Sequence, residues 1–196
     1  ELGSKASQIV VDGDQPFATG SFAQVYHCRI VDCPNNQYII KILRPSVVRH
    51  LNFDLAVLRF CCWAGQFMLK NDIFPLVKLA DEFIKTTKRE TDYQRELITA
   101  QAIREYFAKR TDNVVVPETL ANYSTRLILV QDYIDGLPLT EVVERAQAGN
   151  DTYQFVKDQL GSDMQQQLVT VGSEFLIAIL QADIIMADPH PGNIYL

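Results

Sequence analysis

The stretch Tyr38-Ile39-Ile40-Lys41-Ile42-Leu43 sets one lysine in the middle of an apolar run. Six residues of this kind, rich in β-branched and aromatic side chains, read as a strand. Lysine is almost never fully buried unless it is paired. Two readings follow. Either this is an edge strand with Lys41 turned to solvent, or it is a functional strand that holds an ammonium group for use. Upstream, Ile9-Val10-Val11 and the run Ala23–Ile30 are further strand-like segments. Turn clusters separate them, at Asp12-Gly13-Asp14-Gln15-Pro16 and Asp32-Cys33-Pro34-Asn35-Asn36. The pattern predicts an antiparallel meander.

Downstream of Arg44-Pro45 the period changes. Leu51, Leu55, Leu58, Cys62 and Phe67 predict a helix over 52–69. A second helical stretch is predicted over 77–108, with Tyr93, Leu97, Ala100 and Phe107 on one stripe. Strands return at Val114-Val115-Val116 and over 126–133, and Asp135-Gly136-Leu137-Pro138 forms a turn. From Thr140 the chain reads as helical, with a break at Gly149-Asn150-Asp151 and a long helix over 163–185. The closing Ala187-Asp188-Pro189-His190-Pro191-Gly192-Asn193 carries two prolines and a glycine, which predicts a loop. The expectation is an α+β chain. A β-rich lobe with inserted helices covers 1–135, and part of a helical lobe covers 136–196.

The 196 residues carry 18 Lys and Arg against 24 Asp and Glu, a net charge of −6, with 47% apolar residues. Those values are globular, and they exclude disordered and fibrous classes. The acidic balance argues against non-specific nucleic-acid binding, which depends on phosphate neutralisation. No run of about 20 apolar residues free of charge is present, so no transmembrane segment is expected. Cys28, Cys33, Cys61 and Cys62 make no C-x-x-C pair, so they read as reduced thiols rather than zinc ligands.

Four segments carry chemistry. Phe17-Ala18-Thr19-Gly20-Ser21-Phe22-Ala23-Gln24-Val25-Tyr26 places Ala18, Gly20 and Ala23 where the protein-kinase hairpin G-x-G-x-x-G-x-V has glycines, and Val25 fits. Small residues there allow backbone to approach phosphates; a plain turn between two strands is the simpler alternative. Lys41 matches the V-A-I-K lysine that holds nucleotide phosphates. Its helix carboxylate would come from Glu90-Thr91-Asp92-Tyr93-Gln94-Arg95-Glu96. In a regular helix Glu90 and Glu96 lie about 120° apart, so both cannot face one pocket. Thr87-Lys88-Arg89-Glu90 also matches a capping box. Glu96, beside the apolar stripe, is the better partner. In the closing loop Asp188 and Asn193 stand five apart, as do the Asp and Asn of the kinase catalytic loop. His190 reads as structural. Hairpin, lysine, carboxylate and loop occur in the kinase order.

These segments resemble the UbiB family of atypical kinases, which support quinone biosynthesis. The resemblance rests on residues 18–26, Ile40-Lys41-Ile42-Leu43-Arg44-Pro45, residues 90–97 and the D-P-H-P-G-N run. It implies a kinase-like bilobal fold and the cofactors ATP and Mg²⁺. It implies that Ala18, Gly20, Ser21, Ala23, Val25 and Lys41 line the nucleotide site. The backbone of Asp132, Tyr133 and Ile134 would be the adenine hinge. Glu96 would be the lysine's partner, Asp188 the catalytic base, and Asn193 a magnesium ligand. Glu90 and Asp92 match the family's acidic E-x-D motif.

Four departures stand out. Gly20 replaces the family's usual alanine, and Met186 replaces a histidine that often precedes the loop. The upstream K-x-G-Q motif is absent. The D-F-G aspartate would fall beyond Leu196, so the chain is expected to be a piece of a longer protein. The implied activity is Mg-dependent phosphoryl transfer or ATP hydrolysis linked to quinone or isoprenoid-lipid metabolism. The alternatives are a silent kinase-like module that binds nucleotide or a partner, and a small-molecule kinase. The expected partners are a nucleotide and lipid or quinone-biosynthesis components. The expected location is cytoplasm or an organellar matrix, with any membrane anchor on segments outside this chain.

Overall fold

The computed structural model describes residues 1–69, 74–182 and 191–196. In chain order the strands and helices are β1 (Ile9–Val11), β2 (Ala18–Thr19), β3 (Ala23–Ile30), β4 (Cys33–Leu43), α1 (Pro45–Leu69), α2 (Leu76–Glu90), α3 (Tyr93–Ala108), β5 (Ile128–Asp132), α4 (Leu139–Gln147), α5 (Thr152–Leu160) and α6 (Met164–Ala182). The chain forms two compact units, one of Glu1–Ala102 with Pro117–Tyr133, the other of Ile103–Val116 with Ile134–Leu196. The mixed helical and antiparallel architecture agrees with the α+β expectation.

The first unit is built on one antiparallel sheet in the order β1-β3-β4-β5, with β2 also paired to β3. β1 and β2 therefore share one edge of β3. Side chains alternate between faces along each strand. On one face Tyr38, Ile40 and Ile42 pack with Tyr26, Cys28, Ile30 and Val130. On the other, Leu43 packs with Leu129, Ala23 and the α3 residues Tyr93 and Leu97. β4 is interior, flanked by β3 and β5, and this overturns the edge-strand reading of Lys41. In the second unit, Leu137, Val142 and Val156 form the core, with Leu160, Met164 and Leu196 against them. Asp151 caps α5 by accepting from the Gln154 amide at 3.1 Å, and Gly161 ends it at φ 65°, which glycine adopts without steric cost.

Four expectations need correction. The cluster Asp32 to Asn36 is not a separate turn: the chain reverses at residues 31–32 and β4 already begins at Cys33. Helix α1 starts at Pro45 rather than 52, because proline is favoured in the first helical turn even where the apolar stripe has not begun. The stretch 77–108 is two helices. The Thr91 hydroxyl donates back to the Thr87 carbonyl at 2.9 Å, and the Tyr93 amide is drawn away to the Arg126 carbonyl at 3.0 Å. Asp92 then restarts the helix by accepting from the Gln94 amide at 3.3 Å. Thr87 lies buried in the last turns of α2, so Thr87 to Glu90 is not a capping box. Val114-Val115-Val116 lies outside every strand described. Its β-branched residues favour extended backbone, but Pro117 follows directly, and Val115 is 72% exposed.

Two buried groups make stability sensitive to alkali. Burial first, and the charge of Asp12 second, push the Cys28 thiol from 9.0 to about 11. Burial, with Glu96 adding to it, pushes the Tyr93 phenol from 10.0 to about 12. In both cases the folded state holds its proton more tightly than the unfolded chain. Their contribution is complete below pH 9 and is lost as the pH climbs through 9 to 12. Each is worth about 2–3 kcal/mol across its window. Urea midpoints measured from pH 8 to pH 12 are expected to fall steadily above pH 9, and Tyr93→Phe should flatten the part above pH 10.

Candidate functional site

Directly opposed residues of an antiparallel pair project from the same face. Ala18 opposes Val25, Val25 opposes Lys41, and Lys41 opposes Leu129. These four residues form one row across β2, β3, β4 and β5. The row joins residues up to 111 positions apart in the sequence. It lies on the face that α3 covers through Tyr93 and Leu97.

Lys41 Nζ donates to Glu96 Oε1 at 2.6 Å. Glu96 lies in the first turn of α3. The break at Thr91 and Asp92 sets where that turn begins, so the spacing argument for one continuous helix no longer applies. The partner that the apolar stripe favoured, Glu96, is the one observed. The two side chains are 27% and 42% exposed, so the pair is open to a ligand. Ion pairs this exposed contribute about 0–1 kcal/mol. Lysine has three N–H donors, and one goes to Glu96.

Glu90 ends α2 and is exposed. Asp92 caps α3 and lies 3.8 Å from the Arg95 guanidinium and 4.0 Å from that of Arg126. The two carboxylates of the E-x-D motif therefore sit in different surroundings.

The β2–β3 turn closes through the Gly20 amide donating to the Ala23 carbonyl at 3.0 Å. A methyl group built on Gly20 meets nothing nearer than Ala23 O at 4.0 Å. The fold itself thus has no need of glycine there, and the space beside the turn suits close approach of a ligand to backbone. Ser21 is exposed at the tip. On the same sheet face, one row from Lys41, His27 opposes Ile39 and Ile39 opposes Gln131. The His27 ring lies 4.6 Å from Phe17 and 4.9 Å from Tyr133. This aromatic contact ties the hairpin to the end of β5.

Of the expected hinge, the Asp132 amide donates to the Glu118 carbonyl at 2.9 Å and the Tyr133 amide to the Gln37 carbonyl at 3.0 Å. Asp132 Oδ2 accepts from the Glu118 amide at 3.1 Å. Both amides are committed within the chain, so a base at this edge would use other main-chain groups.

In the second unit, Pro191–Asn193 forms a short 3₁₀ turn, more regular than the predicted loop. The residues after it are clamped: the Leu196 amide donates to the Leu137 carbonyl at 2.9 Å, and the Leu139 amide to the Ile194 carbonyl at 2.9 Å. Gly136 permits this approach, since a Cβ there would lie 3.1 Å from Leu196 O and 3.2 Å from Tyr195 Cβ. Asn193 is therefore held by its neighbours. Met186, Asp188 and His190 lie outside the described residues. Magnesium usually takes one or two carboxylates together with substrate phosphates. Among the described residues no group of three or more His, Cys, Asp or Glu side chains is placed to hold a metal ion.

A model of the ABC1 atypical kinase-like domain matches residues 1–196. The chain belongs to that family. It is 26% identical over 197 residues to a protein of Tolumonas auensis described as "Probable protein kinase UbiB", covering all of this chain and 34% of that protein. It is 25% identical to "Uncharacterized protein sll0005" of Synechocystis, covering 99% of this chain and 26% of the relative. This ABC1-family chain thus spans about a third or less of the length of these relatives. In fold it is similar to the Mycobacterium tuberculosis protein in the solved structure of an Rv3197–erythromycin complex, with a TM-score of 0.70 and 23% identity over all of this chain and 45% of that one. The kinase-like fold expectation holds.

The pattern Ala18, Val25 and Lys41 was visible in the sequence. Leu129 and His27 were not, because their places depend on strand register. Two glycine substitutions separate the two kinds of glycine. Gly20→Ala is expected to leave thermal stability level or slightly raised, by up to about 1 kcal/mol, through a less flexible unfolded chain. Gly136→Ala should cost about 1–3 kcal/mol by crowding Leu196 and Tyr195. Chemical denaturation of both variants checks this.

Proposed function

We propose that this chain binds the nucleotide of an atypical kinase or ATPase, taking ATP with magnesium for phosphoryl transfer or hydrolysis. The observation that carries this reading is the row Ala18, Val25, Lys41 and Leu129, with the Lys41 ammonium held by Glu96 at 2.6 Å. A cation lies on an otherwise apolar row beside a turn of small residues. That combination suits a triphosphate attached to a flat apolar base.

Lys41 would turn its remaining N–H donors to phosphate oxygens. Glu96 would fix the ammonium's direction so that little reorganisation is needed when phosphate arrives. Val25, half-buried on the row, would offer apolar surface to the base, and Leu129, buried beneath α3, would back it from the core. The turn at Gly20 and Ser21 would bring its backbone to the phosphates. Asp188 and Asn193 carry the roles of base and magnesium ligand by their match to the family's loop. Magnesium, when bound, would neutralise charge between the phosphates. By the same resemblance the reaction serves quinone or isoprenoid-lipid metabolism.

The exposure of the ion pair makes a clean test possible. In the full-length protein, Lys41→Ala is expected to lower ATP affinity or turnover by at least about tenfold, a loss of about 1.4 kcal/mol. Unfolding free energy should change by less than about 1 kcal/mol. Glu96→Gln should show the same pattern to a smaller degree, and Glu82→Gln on the outer surface of α2 should show none. Calorimetric nucleotide titration and a coupled ATPase assay check both. Unchanged binding and turnover in Lys41→Ala would leave a kinase-like module whose work is to bind a partner.

A further inference from the structure

Arg44 follows β4 directly and precedes the first residue of α1. Its contacts run three ways. Its amide donates to the Phe22 carbonyl at 2.9 Å. Its guanidinium Nη2 donates to the Gly20 carbonyl at 2.9 Å. Its own carbonyl accepts from the Val48 amide at 3.1 Å, in the first turn of α1. One residue thus links the lysine-bearing strand, the β2–β3 turn and a helix start.

The turn itself has little to hold it. Between the short β2–β3 ladder and its tip, the Gly20 amide donates to the Ala23 carbonyl, and the turn contains a glycine and an exposed serine. A turn of this composition samples many conformations unless it is tied. Arg44 ties it at both carbonyls, Gly20 O and Phe22 O. Those oxygens carry partial negative charge and would repel a phosphate if they swung inward. Held by Arg44, they are satisfied by donors three residues along the chain from Lys41. The guanidinium Nε is buried and has no hydrogen-bond partner among the described residues, so the group sits there at some cost to stability. A planar, multi-donor cation suits this task better than an ammonium would.

We propose that Arg44 is a positioning residue that sets the β2–β3 turn at a fixed distance from Lys41, so that the turn can cover a nucleotide's phosphates. This rests on the nucleotide reading above. Arg44 acts through the turn and needs no contact with the ligand.

The test uses the full-length protein and measures affinities for Mg-ATP and for adenosine, which lacks phosphates. Backbone hydrogen exchange over residues 18–24 is followed in parallel. Arg44→Ala should weaken Mg-ATP about tenfold, as expected for loss of a charge-assisted hydrogen bond, while adenosine stays within about twofold. Exchange should quicken at residues 20–23 and nowhere else. Arg44→Lys, which keeps the charge and the main-chain bond, should fall between, and it decides the matter if the alanine variant does not fold. Equal weakening of ATP and adenosine would mean a general structural role and overturn the proposal. Wild-type ATP affinity in both Arg44 variants, with Lys41→Ala impaired, would overturn it and leave the nucleotide site standing. Wild-type affinity in Lys41→Ala would remove the nucleotide reading itself, and Arg44's role with it.

Discussion

An ammonium group in the middle of a four-strand apolar row is the constraint on which the rest of this structure turns. Lys41 cannot be sealed without a partner, because burying an unpaired charge costs several kcal/mol. It cannot face bulk solvent as an edge residue, because β3 and β5 flank its strand. Glu96 at 2.6 Å supplies the partner, and the break between α2 and α3 supplies Glu96. The Thr91 hydroxyl, the Asp92 cap and the pull of the Arg126 carbonyl on Tyr93 are thus more than local details. They determine where α3 begins, and so which carboxylate arrives at the lysine. The pair is exposed enough to contribute little to folding, which leaves it available for binding.

Much of this was legible in the one-dimensional pattern, and the reasons for success and failure differ by element. Strands β1, β3 and β5 announced themselves as β-branched runs, whereas β4 opens at Cys33, inside the Pro34-Asn35-Asn36 cluster that read as a turn. Helices α4, α5 and α6 followed from polar–apolar period and from the Gly149 to Asp151 break. The split at Thr91 stayed hidden because a buried threonine bonding back to its own helix leaves no periodic trace. Val114-Val115-Val116 misled because β propensity describes fit to a sheet neighbour, and none is present in the described residues. The choice between Glu90 and Glu96 came out as favoured by the apolar stripe, although the regular helix assumed for it does not exist.

The site divides in the same way. Types and order of residues were readable: small residues in a hairpin, a lysine in the following strand, an acid on a helix, Asp and Asn in a proline-rich loop. Register was not readable. The alignment of Ala18, Val25, Lys41 and Leu129 depends on three strand pairings, each of which would place different side chains together if slipped by one residue. Arg44 was equally invisible, since its partners at Gly20 and Phe22 lie 22 to 24 positions upstream. Membership of the ABC1 atypical kinase-like family agrees with the residue order, and the register gives that order a physical form.

Covalent mapping of the lysine tests the central claim most directly. An acyl-phosphate analogue of ATP delivers its acyl group to whichever lysine lies beside the bound phosphates. Applied to the full-length protein and read by peptide mass spectrometry, it is predicted to label Lys41 first, with labelling suppressed by added ATP and lost in Lys41→Arg. Labelling spread over the surface lysines, with no protection of Lys41 by ATP, would contradict the account.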